Sequence, residues 1–184
     1  NINNEKMSKS LGNFFTIRDV LQKVHPEALR LFVLSKHYRS PVDFCDDTVA
    51  DAERGLEKLY GTLASVQDRT AEPPSSTPDQ TLKVQDPELW EELVRLPSQF
   101  EEAMDNDFNT AQAMGYLFGL QRHVQRFLDR FGQKKLKGPA AALVRWAAAQ
   151  LVDHARILGV LERDPSVFLE EQRGNKTLNL TSKD

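Results

Sequence analysis

The sequence contains one cysteine, Cys45, in 184 residues, so no intrachain disulfide can form. Its four histidines (His25, His37, His123 and His154) are scattered without the short ligand spacing of a structural zinc site, and no metal site is expected. No apolar run approaches the length that spans a bilayer, and the opening residues do not read as a signal peptide. An excess of positive charge is also missing. Twenty-four Lys and Arg against 27 Asp and Glu leave a formal charge of −3, which argues against a protein that grips nucleic acid over its whole surface. A local basic face is still allowed, because phosphate binding depends on where the cations sit. Together these absences suit a reducing, cytoplasmic setting without a membrane partner.

Strand patterning is weak and helix patterning is strong. Thr16 followed by Asp19 resembles a capping box for a short helix from Ile17 to Val24. Pro26 fits the first turn of another, with Ala28, Leu31, Phe32 and Ser35 inward. Ser40-Pro41 forces extended backbone. From Asp46 or Asp47, Val49, Ala52, Leu56, Leu59, Tyr60, Leu63 and Val66 recur mostly at three- and four-residue steps, the mark of one long amphipathic helix. "RTAEPPSSTPDQTLKVQ" has almost no core formers and reads as a poorly ordered surface loop. Asp86-Pro87 starts a helix ending near Asp105, kinked or divided at Pro97. Thr110 is expected to cap a helix stopped at Gly132, Gly138-Pro139 to start one running to Gly159, and Asp164-Pro165 to precede a short last helix. The fold class is therefore all-α: an antiparallel bundle of about four or five long helices after a short loop and helix segment. The expected division is 1–45 for that connective segment, 46–171 for the bundle and 172–184 for a tail without fixed structure.

The chemistry concentrates in the opening "NINNEKMSKSLGNFF". Lys6 and Lys9 lie three apart on a loop that ends in Gly12. Two such cations can close over a polyanion, a triphosphate being the obvious one, with Ser8 and Ser10 adding hydrogen bonds to phosphate oxygens. Ammonium groups that meet a departing pyrophosphate mainly in the transition state lower the barrier to attack at the α-phosphorus. A solvated lysine-serine loop is the plain alternative, because short motifs match by chance.

Farther along, Arg122, Arg126 and Arg130 recur every fourth residue, so one helix side carries all three. They fall in a stretch with Lys134, Lys135, Lys137 and Arg145 but only Asp129 as an acid. Such a face suits a phosphate backbone, the alternative being a solvated surface. Lys36, His37, Tyr38 and Arg39 form a second cluster, with Arg39 the candidate backbone contact. Asp105, Asn106, Asp107, Asn109 and Thr110 lack a calcium loop's terminal ligand and read as helix caps. Phe100, Met104, Phe108, Leu117, Phe118, Leu120 and Phe127 are expected core, as are Trp90 and Trp146.

"EKMSKSLGNFFTIRDVL" resembles the signature loop of class I aminoacyl-tRNA synthetases, in the form found in the cysteinyl-tRNA synthetase family. "HPEALRLFVLSKHYRSPVDF", "FEEAMDNDFNTAQAMGYLFGL" and "ILGVLERDPSVFL" are similar to that family's helical, anticodon-binding-type domain, in the same order. The resemblance implies an enzyme that activates cysteine with ATP and Mg2+ and transfers it to tRNA(Cys). Lys9, Ser8 and Ser10 would contact ATP phosphates, with Lys6 assisting. It further implies that this chain is the tail of a larger enzyme, inactive alone. Its partner catalytic domain would carry the nucleotide fold and the zinc site, with no cofactor bound by this chain. The family's terminal basic subdomain has no counterpart in "RGNKTLNLTSKD", which leaves anticodon readout without its usual residues. Cys45 receives no role from the resemblance. Two other functions fit the residues: a tRNA-independent cysteine ligase acting on an amine-bearing sugar, and a non-catalytic RNA-binding helical module.

Overall fold

Where the apolar residues step by three and four, the chain forms helices. The computed structural model describes residues 16–71 and 80–181. Among them are seven α-helices and no β-strand: α1 (Ile17–Leu21), α2 (Pro26–Leu34), α3 (Asp46–Arg69), α4 (Pro87–Asp105), α5 (Thr110–Asp129), α6 (Gly138–Ile157) and α7 (Pro165–Thr181), with a 3-10 turn at Gln80–Val84. The helices α3 to α6 alternate in direction around one core. Trp90 of α4 meets Trp146 of α6 with ring centroids 5.1 Å apart, and Phe100 meets His154 one end further along. Phe118 of α5 packs on Gly55 of α3, while Gln121 reaches Thr62. Helices α3 and α5 therefore run parallel, as do α4 and α6.

Capping residues set the helix ends. Asp86 accepts from the Leu89 amide at 2.9 Å, and Asp19 and Thr16 form the reciprocal box expected of them. The structure departs from the sequence reading in several places. Asn109, one residue before Thr110, caps α5 by accepting from Gln112 N at 3.1 Å; the Thr110 hydroxyl is instead spent on the Leu34 carbonyl, at 3.0 Å. The first helix stops at Leu21, before Val24. Helix α5 ends at Asp129, a turn before Gly132, whose φ of 53° takes the chain out of the helix; Arg69 from α3 donates to the Leu128 and Lys134 carbonyls there, at 2.9 and 3.1 Å. Pro97 does not divide α4; Leu93, Leu96 and Phe100 on either side of it are all buried and hold the helix together across the missing amide. Leu82, in the segment read as lacking core formers, is buried as well.

Phe108 is not core. It is 67 % exposed, because the α4–α5 turn puts Asp107 and Phe108 in the left-handed region, at φ 58° and 50°, and aims the ring outward. The last helix is long rather than short. Asp164 caps its start, accepting from Ser166 N and Val167 N, and Phe168 is buried against Tyr60.

Helix α2 belongs to the same core through Ala28 and Leu31, and a polar clamp fixes its position. Glu27 is buried, and its carboxylate accepts from the Tyr60 hydroxyl at 2.8 and 3.0 Å and from the Leu161 amide at 3.0 Å. The Tyr60 hydroxyl in turn accepts from Arg163 N at 3.2 Å. Burial raises the Tyr60 pKa far above its usual value, so the phenol stays a donor to the carboxylate. One turn along α2, Arg30 donates to the Gly159 carbonyl at 2.5 Å. Gly159 sits at φ 67°, and a Cβ there would lie 2.5 Å from the Arg30 guanidinium. The positive φ favours glycine there, and a side chain would also displace the Arg30 guanidinium from the carbonyl.

His25 caps α2, its Nδ1 accepting from Glu27 N at 3.2 Å. That bond requires an unprotonated Nδ1. Burial is the main cause that lowers the His25 pKa, with Arg163 adding and Glu27 opposing. The unfolded chain therefore takes up the proton first as pH falls, so this contribution to stability is present above about pH 6.5 and fades below it. Replacing His25 with Asn, which caps without titrating there, should flatten the fall in melting temperature between about pH 7.5 and pH 5.5 relative to the parent. Parallel pH profiles of the two proteins would show that the His25 cap carries no such linkage.

Candidate nucleic-acid interface

The parallel pair α3 and α5 encloses a shallow groove of about 840 Å³. On the α3 side Lys58, Gly61, Thr62 and Ser65 line it; offsets of three, four and seven put all four on one helix face, with buried Thr62 at the edge of the apolar stripe. On the α5 side stand Arg122, Gln125 and Arg126. Among the described residues no carboxylate lines this groove, so the formal charges that line it are positive. Beneath them Gln121 donates to the Thr62 hydroxyl at 2.8 Å, a buried polar pair that locks the two helices in register. Gln125 donates to Asp129 at 2.9 Å, which fixes its amide along the α5 wall.

The three arginines of α5 share one helix side, as their spacing requires, yet they have different partners. Arg130 is bound to Asp86 at 2.5 Å, a carboxylate that is only 5 % exposed. It thus closes α5 onto the capped start of α4. Arg126 stands 3.8 Å from Glu88, both ends well exposed, a pair that holds it only loosely. Arg122 has no ion pair among the described residues. The cations open to a phosphate strand are therefore Arg122 and, through its loose pairing, Arg126, joined from across the groove by Lys58. Nothing in the sequence reading singled out Lys58; the signal was the polar and small stripe at 58, 61, 62 and 65 on a helix otherwise read only for its apolar side.

Arg39 lies elsewhere, in a cluster built on the α4–α5 turn. Its guanidinium is 3.1 Å from both carboxylate oxygens of Asp107 and donates to the Tyr38 hydroxyl at 2.9 Å. Tyr38 donates to Asp107 at 2.7 Å, and that bond is the first cause raising its pKa. His37 stacks on Tyr38 with centroids 5.0 Å apart. The turn after α2 and the turn before α5 are thereby fastened together, with Tyr38 60 % exposed. Cys45, half-buried, precedes α3 and its amide donates to Thr48 at 3.1 Å. Lys6, Ser8, Lys9 and Ser10 lie outside the described residues. No group of three His, Cys, Asp or Glu suited to a metal ion occurs among the described residues, and no described helix is long and apolar enough to cross a membrane.

The different partners of these arginines lead to different expectations. Arg130→Gln strips the buried Asp86 carboxylate of its ionic partner and should cost about 1–3 kcal/mol, read as a lower urea midpoint. Arg122→Gln should stay within about 0.5 kcal/mol of the parent. Equal midpoints for the two variants would contradict the structural role assigned to Arg130.

Two family models match separate parts of the chain. Residues 1–54 match the family model described as tRNA synthetases class I (C) catalytic domain, and residues 99–162 match the DALR domain. The chain is 63 % identical over 177 residues to a cysteine–tRNA ligase of Syntrophobacter fumaroxidans, a match covering 96 % of this chain and 36 % of that protein. It is 46 % identical over 180 residues to one of Geobacter metallireducens, covering 98 % and 36 % respectively. To one of Pelobacter propionicus it is 45 % identical over 184 residues, covering 96 % and 36 %. The chain thus spans little more than a third of the length of these relatives.

Proposed function

The chain belongs to the cysteine–tRNA ligase family, and on that premise we propose that it supplies the tRNA-docking helices and the ATP-phosphate loop of an enzyme that joins cysteine to tRNA(Cys). The observation that carries the docking role is the α3–α5 groove, where Lys58, Arg122 and Arg126 stand without a lining carboxylate in a chain whose formal charge is −3. Cations gathered in one place on an otherwise acidic protein bind a polyanion by releasing its counterions, and they do so without reading bases. The groove offers Thr, Ser and Gln groups besides, which hydrogen-bond phosphate and ribose oxygens and fix the register of a strand. A helical bundle with such a groove favours tRNA over an amine-bearing sugar as the acceptor.

The second role falls to residues 1–45. Lys9, with Ser8 and Ser10, engages the phosphates of ATP bound with Mg2+, and Lys6 supports the loop. When the cysteine carboxylate attacks the α-phosphorus, the bond to the bridging oxygen breaks and negative charge collects on the leaving pyrophosphate. Two ammonium groups meeting that charge lower the barrier without strengthening ground-state binding equally. Helix α2, clamped to α3 by Glu27 and Tyr60, ties this segment to the bundle that holds the tRNA.

Two experiments test these roles separately. Replacing Lys58, Arg122 and Arg126 together with Gln should weaken binding of a tRNA(Cys) transcript to this chain. The slope of log affinity against log salt should flatten by about 2 to 3 over roughly 50–200 mM salt. An unchanged slope would remove the groove from the RNA-binding surface. In the full-length Syntrophobacter fumaroxidans relative, replacing the lysine aligned with Lys9 by Ala should slow cysteine-dependent ATP–pyrophosphate exchange by about 100-fold or more, with a smaller effect on the KM for ATP. A change confined to KM would assign the loop to ground-state binding.

A further inference from the structure

Gly61 sits in the middle of α3, where glycine is the least favourable residue short of proline. Glycines in helix interiors usually have a reason inside the fold. Gly55, six residues earlier, has one: a Cβ there would lie 3.2 Å from the Phe118 ring, so its absence lets α5 approach α3. Gly61 has none. Among the described residues a Cβ built on it meets no atom within 4 Å, and its backbone conformation is one any residue adopts. Neighbouring Leu59, Tyr60, Thr62 and Leu63 are all buried, so α3 is held here by packing on its other sides. What Gly61 does face is the groove, where it lies between the positions of Lys58 and Ser65 on the α3 wall and opposite Arg122 and Arg126.

We propose that Gly61 is the close-approach floor of the groove: an RNA strand lies across α3 at this point, its sugar–phosphate backbone against the bare helix backbone, with Lys58 on one side and Arg122 and Arg126 on the other. The assignment rests on the RNA-docking reading above and adds to it a residue selected by shape rather than charge. Cations alone would bind a polyanion at a distance, through solvent. Removing the side chain beneath the strand brings its phosphates to contact distance of the ammonium and guanidinium groups, and brings its riboses within reach of hydroxyls. Ser65 is turned to this arrangement. Its hydroxyl donates to the Gly61 carbonyl at 2.8 Å, which satisfies that carbonyl's free lone pair and leaves the serine oxygen as an acceptor for a ribose hydroxyl. The helix thus gives up propensity at one position for access at the same position. Strands that carry no charge gain nothing from that exchange, and an acidic polypeptide, with side chains between its backbone and its charges, does not need a bare floor.

The test separates folding from binding. Gly61→Ala and Gly61→Gln add helix propensity in open space, so both should raise the melting temperature of the chain, by about 2–4 °C. Affinity for a tRNA(Cys) transcript should nevertheless fall, about threefold for Ala and tenfold or more for Gln. Gly115→Gln is the control: Gly115 is also mid-helix with no atom within 4 Å of a built Cβ, but it does not line the groove. It should gain the same stability and keep parental affinity. Parental affinity in both Gly61 variants overturns the proposal, as does an equal loss in Gly115→Gln. If the Lys58, Arg122 and Arg126 replacement weakens RNA binding while Gly61→Gln does not, only the close-approach floor falls. If neither has an effect, the docking reading falls with it.

Discussion

A carboxylate held away from water has to be satisfied from every side, and Glu27 meets that demand by drawing three parts of the chain together. Its partners come from α3, through Tyr60, and from the turn between α6 and α7, through the Leu161 amide. Leu161 adopts φ 63° to point that amide inward, an uncommon conformation for a leucine that the bond to Glu27 offsets. Arg30 takes the Gly159 carbonyl on the same turn, so one helix of nine residues grips both ends of the turn with an acid and a base one turn apart. Phe168 stacks on the Tyr60 ring at 3.9 Å and covers the assembly. Loss of Glu27 would leave the buried Leu161 amide without its acceptor, which costs more than the bond itself contributes.

That clamp has a spatial consequence for the groove. Tyr60 and Gly61 are consecutive on α3, one facing the buried carboxylate and the other the open face between α3 and α5. The helix therefore has its clamp on one side and its cationic surface on another. Thr62, the next residue, is bonded to Gln121 and sets the register of the groove's two walls. Three successive residues thus place α2, the groove and α5 relative to one another. The cations are distributed by the same logic. Arg130 is drawn into the structure by Asp86, Arg39 by Asp107, and Arg69 is buried on two carbonyls at the end of α5, while among the described residues Arg122 carries no such bond.

The helices were legible because their apolar residues repeat with the period of a helix and because Thr16, Asp86 and Asp164 are strong caps placed before them. Misreadings arose where a distant partner overrode a local signal. Thr110 looks like a cap by type, but its hydroxyl is taken by Leu34, seventy-six residues away, and Asn109 does the capping. Phe108 looks like core by hydrophobicity, yet the left-handed turn around it turns the ring to solvent. Leu82 sits in a polar stretch and is recruited to the core by the surface that α4 and α6 present. The length of α7 was hidden because its apolar pattern is weak, while Phe168 near its start is anchored by Tyr60 of α3, more than a hundred residues earlier in the chain.

Of the candidate interface, the sequence showed the arginine stripe on α5, since a four-residue period needs no partner to be recognised. It could not show which arginines remain open, because Asp86 and Glu88 are more than thirty residues from the cations they pair with. Lys58 was equally hidden. A lone lysine on a helix has no meaning until a second helix is laid beside it. By itself the sequence determined an all-helical chain, the places where its helices begin, and the family to which its motifs belong, because these depend on periodicity, caps and contiguous residues. Which charges are neutralised, which glycine faces open space and which glutamate is buried were decided only by the tertiary packing, because each depends on the distance between residues that are far apart along the chain.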